Sequence, residues 1–254
     1  MTLDLLFLIL LIYTNVLADF VLQPDRWAQD KRNRKFKSKY LYLHVLIAAL
    51  LTGVASLLFV ELNTATAIFA IIFVSHLMID SITARYRESA SALIIDQGAH
   101  LSIILSIWAF LFNPDVSHIL SYLTDPTLTH ISILLLGYTV VLHPSGIIIS
   151  RITKRWRDSI YGTTATNEVL SFDGESLENA GKYIGYMERF LILTFILLQQ
   201  YTAIGFLIAA KSIFRFNASR KTSEYILIGT LLSFSIAILV GFVIVFASDN
   251  VGNW

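Results

Sequence analysis

Residues 41–60 form an apolar run in which His44 is the one side chain that titrates near neutral pH. About twenty residues at 1.5 Å each cover the hydrocarbon core of a bilayer. Lipid offers no partner to a backbone N–H or C=O, so such a run has to be helical. The pattern recurs at residues 3–22, interrupted by Asn15 and Asp19, and at 65–82, after a short turn at 61–64. It recurs again at Ala90–Phe112, which carries Asp96 and His100, and at 130–149, 180–210 and 225–247. The succession predicts an all-α fold, a polytopic transmembrane helical bundle with about seven hydrophobic segments. Only 15% of residues are charged, against about 25% in soluble domains, which leaves no separate soluble domain. Nineteen Lys+Arg against eighteen Asp+Glu give no basic excess to hold a phosphate backbone, and nucleic acid is excluded as a partner. With no Cys, disulfides, thiolate metal sites and Cys nucleophiles are excluded as well.

The first run ends in Val16-Leu17-Ala18, which resembles a signal-peptide cleavage site. Asp4, with no Lys or Arg ahead of the run, argues instead for a retained helix. Residues 1–125 read as a four-helix membrane domain. Residues 126–254 read as C-terminal membrane helices with a polar loop at about 151–178, marked by the turn signal Asp173-Gly174. Pro144-Ser145-Gly146 breaks the run at 130–149, making it a kinked span or a re-entrant segment. Residues 180–210 read as one long helix, polar at first and apolar from Phe190.

Orientation comes from Lys and Arg in short loops. Arg26, Lys31, Arg32, Arg34, Lys35, Lys37 and Lys39 lie between the first two spans. They predict a cytoplasmic loop and an external N-terminus. Arg85 and Arg87 then fall inside, and the Lys/Arg-free segment 113–129 falls outside. Arg151, Lys154, Arg155 and Arg157 fall inside, but a full crossing at 180–210 would put Lys211, Arg215, Arg220 and Lys221 outside, against the rule. Trp27, Tyr40 and Tyr42 suit an inner aromatic belt, and Trp108, Phe110 and Phe112 an outer one.

Ionisable side chains inside spans are costly and mark function. Here they are Asp19, His44, His76, Asp80, Asp96 and His100. Four helices of alternating direction bring these three Asp and three His to one depth, whichever way the chain is inserted. His76 and Asp80 are four apart and share a helix face, and Asp96 and His100 repeat the arrangement with the order reversed. Gln23 and Gln97 sit beside the set. Imidazole with carboxylate is the ligand mixture of zinc, iron or manganese sites, and six such groups suit one or two divalent ions. A metal would also neutralise carboxylates otherwise buried and charged. A proton or ion pathway and plain hydrogen bonding between helices are the alternatives. His118 and His130 read as solvated, and for His143, beside Pro144 at the inner end of its segment, joining the site is the lesser reading.

Other patterns read as packing. Gly229, Ser233, Ala237 and Gly241 recur every four residues, a small-residue face for close helix contact. Its expected partner is the preceding segment, through Ala203, Gly205 and Ala209, or the same span of a second subunit in a homo-oligomer. Gly181 and Gly185 form a second small pair, and Glu188-Arg189 reads as an interfacial ion pair. Phosphate loops, Ser-His-Asp order and Walker patterns are absent from the sequence.

Ala18-Asp19-Phe20-Val21-Leu22-Gln23, a Lys followed by Leu43-His44, then His76-xxx-Asp80 and Asp96-Gln97-xx-His100 together resemble a bacterial integral membrane family, the domain of unknown function 3307 family. That domain covers roughly the first half of the chain. The second half resembles the family's usual extension through Ala180-Gly181-Lys182-Tyr183-Ile184-Gly185, Glu188-Arg189, the segment 203–212 and Gly229-Thr230-Leu231-Leu232-Ser233-Phe234. The family pattern often has His where this chain has Asn15. The resemblance implies a multi-pass protein of the bacterial inner membrane and supplies no activity. A looser likeness is to membrane-embedded metal-dependent hydrolases, which also place His and Asp at helix ends; it is analogy only.

The leading expectation is therefore a metal-dependent membrane hydrolase of a lipid or lipid-linked substrate. His44, His76 and His100 would be ligands, and Asp19, Asp80 and Asp96 ligands or general base. A proton- or cation-coupled transporter or channel using the same groups, and a structural or regulatory membrane protein without catalysis, are the competing expectations.

Overall fold

The computed structural model describes residues 3–84, 89–112, 126–161, 180–213 and 220–249. Arg85, Arg87, the loop 113–125 with His118, Asp173-Gly174 and Arg215 lie outside the described residues. Every described element is a helix, and six helices are long and apolar enough to cross a membrane. The chain divides into two compact units, residues 1–139 with 247–254 and residues 140–246.

The first unit is built on α1 (Leu3–Val16), α3 (Lys39–Ser56), α4 (Leu62–Thr83) and α5 (Ala90–Phe112). Between α1 and α3 lies α2 (Asp25–Arg34), where the sequence suggests only a basic loop. Its signals are Pro24 ahead of it, Asp25 in the first turn, and Lys31, Arg32 and Arg34 in the last, each charge placed favourably for the helix dipole. The last turn of α1 widens at Leu17–Val21, where the Leu22 N–H donates to the Leu17 carbonyl five residues back (2.9 Å). Such π-turns gather at functional sites, and Asp19 sits in this one.

Phe7, Leu11, Ala49, Ile68, Ile72, Ile104, Ile107 and Trp108 form the apolar layer of this unit. Lipid is as apolar as these side chains, so close packing rather than water exclusion holds the layer. At Gly53 a Cβ would stand 3.0 Å from that of Phe69, so glycine lets α3 and α4 approach. Trp108 is buried and its indole N–H donates to the Asp4 carbonyl (2.8 Å). It belongs to the core rather than to an outer aromatic belt, because a buried indole needs an acceptor and the start of α1 leaves one within reach. One layer further along, the Thr14 and Thr52 hydroxyls meet at 3.2 Å.

In the second unit, α6 (Pro126–Leu142) enters at its last turn and breaks for one residue at His143. The helix resumes as α7 (Pro144–Tyr161), so residues 151–161 of the expected polar loop are helical. The sequence reads residues 180–210 as one helix; the structure folds them into two, α8 (Ala180–Leu197) and α9 (Tyr201–Ile213). Gln199 takes a left-handed conformation (φ 56°). The Gln199 N–H donates to the Ile196 carbonyl (2.9 Å) and that of Gln200 to the Phe195 carbonyl (2.7 Å), the pattern that caps a helix end and reverses the chain. Lys211 on α9 returns to Glu188 on α8 at 2.5 Å. Lys211 therefore comes back alongside the middle of α8, where a single long helix would carry it on away from Ala180.

The last helix, α10 (Arg220–Asp249), presents its small residues to α8. A Cβ on Gly241 would stand 2.9 Å from Ile196, Ser233 lies 3.4 Å from the Arg189 guanidinium, and Ala237 is fully buried. Gly229 and Gly205 face open space. Within the chain, Ser233 and Gly241 thus meet the outgoing limb of the hairpin, and a Cβ on Gly205 of the returning limb would meet nothing within 4 Å. Glu188 and Arg189, adjacent in sequence, point to different partners. Arg189 is only 4% exposed and donates to the Val141 (2.7 Å) and Leu142 (3.0 Å) carbonyls. Those carbonyls lie where Pro144, lacking an N–H, breaks the helix ladder.

Candidate metal centre

α1, α3, α4 and α5 each contribute to the site within about three turns of the same end. Asp19 comes from the π-turn of α1, His44 from the start of α3, His76 and Asp80 from the end of α4, and Asp96 and His100 from the start of α5. The Nε2 atoms of His44 and His76 lie 3.0 Å apart, and Asp19 Oδ1 is 3.2 Å from each. Asp80 Oδ2 is 3.6 Å from His44 Nε2, and Asp80 Oδ1 is 3.5 Å from His100 Nε2 and 3.9 Å from His76 Nε2. The His76 and His100 rings lie 4.0 Å apart, centre to centre. The donors form three overlapping triads, Asp19/His76/His100, His44/His76/Asp80 and Asp80/Asp96/His100, each within 4.8 Å. All six residues singled out from the sequence thus meet.

Two observations bear on whether a cation fits. Asp19 Oδ1 and His100 Nε2 are completely buried and make no hydrogen bond, a condition that costs about 1–3 kcal/mol per group unless something else fills it. Nitrogen and oxygen ligands about 2.0–2.1 Å from a tetrahedral ion stand about 3.3 Å from one another, and the separations between these donors bracket that value. The donor chemistry and the unpartnered atoms both fit a divalent ion.

The remaining polar groups hold the carboxylates in place. Gln97 Nε2 donates to Asp19 Oδ2 (2.8 Å) and Asp96 Oδ2 (3.2 Å), and Asn15 Nδ2 contacts Asp19 Oδ2 (3.4 Å) and Gln97 Oε1 (3.5 Å). Asn15 therefore stands beside the site as a support for Asp19. Gln23 Nε2 is buried without a hydrogen-bond partner.

Residues 6–131 match the family described as Protein of unknown function (DUF3307). The chain carries a DUF3307 domain over these residues. All six site residues lie within the matched stretch. No curated protein and no solved structure matches the chain.

The DUF3307 domain holds a seventh charged group that sequence reasoning missed. Lys31 Nζ lies 2.6 Å from Asp80 Oδ2, and the two side chains are 11% and 6% exposed. In the sequence Lys31 is one of seven cations in a run and reads as an orientation signal. Only the helical form of α2 separates it from its neighbours, for example Arg34, whose side chain is 69% exposed. Trp27 stacks on Tyr40 (5.4 Å) and Ser38 Oγ donates to Asp30 Oδ2 (2.5 Å), tying α2 to the start of α3. Neither His143 nor His130 belongs to these triads: His143 is in the second unit with its ring 5.5 Å from that of Tyr186, and His130 is part-buried on α6.

Proposed function

We propose that this protein is a membrane-embedded, metal-dependent hydrolase of the bacterial inner membrane, acting on a lipid or lipid-linked substrate. The observation that carries the reading is the convergence of three imidazole Nε2 atoms and two carboxylates on a space where Asp19 Oδ1 and His100 Nε2 are buried without a hydrogen bond. His44, His76, His100, Asp19 and Asp80 would hold the ion. Bound there, it would lower the pKa of a coordinated water toward about 7 and polarise a scissile group. Asp96 is only part-buried and accepts a hydrogen bond from Gln97, which leaves it able to take a proton as general base. Gln97 orients both Asp19 and Asp96.

A lipid substrate is supported by a groove of about 500 Å³ between the end of α4 and the start of α5. Ile79, Ile82, Ala92 and Ile95 line it with Thr83, Ser89 and Ser91, and Asp80 and Asp96 are the chain neighbours of Ile79 and Ile95. A transport function would need polar groups along the rest of the unit; beyond Thr14 and Thr52 the four helices close on Phe7, Leu11, Ile68 and Ile104.

The test is metal analysis of protein purified gently in detergent. Zinc, iron or manganese at about one or two equivalents is expected, and His76→Ala with His100→Ala should remove it while the protein still inserts. A wild type that takes up no metal on titration would sink the reading. Orientation is tested separately: Asn33→Cys, on the exposed side of α2, should resist a membrane-impermeant thiol reagent in intact cells and react after permeabilisation.

A further inference from the structure

The Lys31–Asp80 contact is hard to account for as topology alone. A lysine that marks the cytoplasmic face needs only to stay in water, as Arg34 does. Lys31 instead turns its ammonium inward to a carboxylate that three histidines also face. Asp30, next in sequence, is held away from the site by Ser38 and Arg34 (2.5 and 3.1 Å), so the helix face that points inward is Lys31's. Asp80 spans two surroundings. Its Oδ1 faces His76 and His100, while its Oδ2 takes Lys31 at 2.6 Å and lies farther, at 3.6 Å, from His44. A carboxylate shared in this way between two cations is what joins the ions of a two-metal hydrolytic site.

The charge count points the same way. Asp19, Asp80 and Asp96 carry three negative charges and Lys31 one positive; histidines that ligate a metal are neutral. The balance is two negative charges, which one divalent ion neutralises. A second ion would leave a net charge of two in a buried site, where net charge is strongly disfavoured.

We propose that Lys31 is the resident second cation of this site, an ammonium standing where a two-metal enzyme would hold its second ion, so that the site takes one divalent ion. An ammonium cannot ionise water as a metal does, but it presents donors to a developing oxyanion. The lipids that suit such a site carry an anionic, phosphate-like headgroup. The proposal rests on the metal-dependent reading of the site, and its test separates the two.

The experiment is a zinc titration of metal-stripped protein in detergent, with stoichiometry read by elemental analysis after desalting and affinity by competition with a chelator. One equivalent is expected for the wild type and for Lys31→Arg. For Lys31→Met, the first ion should bind about tenfold or more tightly because a nearby like charge is gone, and a second, weaker equivalent should appear. Two equivalents in the wild type, or a Lys31→Met protein that matches the wild type in both stoichiometry and affinity, would overturn the proposal and leave the metal reading standing. No zinc in the wild type would overturn both. Should Lys31→Met fail to insert, Lys31→Gln takes its place, and the wild-type stoichiometry decides by itself.

Discussion

Each of the two units buries a group of charged side chains, and the two groups are finished differently. In the second unit the charges find their partners within the protein: Arg189 has two carbonyls and the Ser233 hydroxyl, and Glu188 has Lys211. In the first unit the donors crowd together, yet Asp19 Oδ1 and His100 Nε2 go without a hydrogen bond. Burial of charge alone therefore does not mark a site. A closed set of partners marks a brace, and convergence with open valences marks a place for something the chain itself does not supply.

Substitutions probe this contrast between brace and open site at several strengths. The largest effect should come from the brace. Arg189→Leu leaves the Leu142 carbonyl without its guanidinium and the Val141 carbonyl with only the Ser145 hydroxyl, and thermal unfolding in detergent should show a loss of about 2–5 kcal/mol. Stability within about 0.5 kcal/mol of wild type would mean that the helix break needs no cap. Asp19→Asn should behave in the opposite sense. It should weaken zinc binding by about a hundredfold or more, beyond what loss of a supporting residue does, and leave the metal-free protein as stable as wild type, because a buried negative charge has been removed. If the metal-free variant unfolds as readily as Arg189→Leu, the first cluster is a brace too. A smaller effect is expected at the α8–α10 contact: Gly241→Leu has to displace Ile196 and should cost about 1–3 kcal/mol. The smallest are Gly229→Leu, where a Cβ meets nothing within 4 Å, and Leu239→Ala, at a position 64% exposed; both should stay within about 0.5 kcal/mol. Equal tolerance of Leu at Gly229 and Gly241 would show that the small-residue ladder is a coincidence of composition.

Much of this was legible in the sequence. Alternating helices and the 1.5 Å rise were enough to bring Asp19, His44, His76, Asp80, Asp96 and His100 to one level, since depth depends only on counting residues from the helix ends. Pro144 announced the break beside His143. What escaped was whatever depended on tertiary partners. Gln199 ends α8 without a Gly or Pro to announce it, and a left-handed Gln costs little enough for packing to impose it. Trp108 is apolar enough for a lipid-facing belt and is claimed instead by the Asp4 carbonyl. Lys31 is chemically identical to the other lysines of its run, and only the register of α2 sets it apart. The partner of the small-residue ladder has no sequence signal either, because 180–210 reads as a single helix and a choice between two limbs arises only once the chain reverses at Gln199.

The widened turn at Leu17–Val21 confines one surplus residue to the place where it is needed. Helix α1 has to seat Phe7 and Leu11 in the apolar layer and, within the turn, deliver Asp19 to His44 and His76. A turn closed five residues back sweeps about the same angle with five residues as ordinary helix does with four, at 3.6 residues per turn. Removing one residue there would restore ordinary helix and leave the part before it in place. A one-codon deletion between Leu17 and Val21 should therefore spare the apolar layer and fall on the carboxylate, read as weaker zinc binding with little change in the thermal unfolding of the metal-free protein.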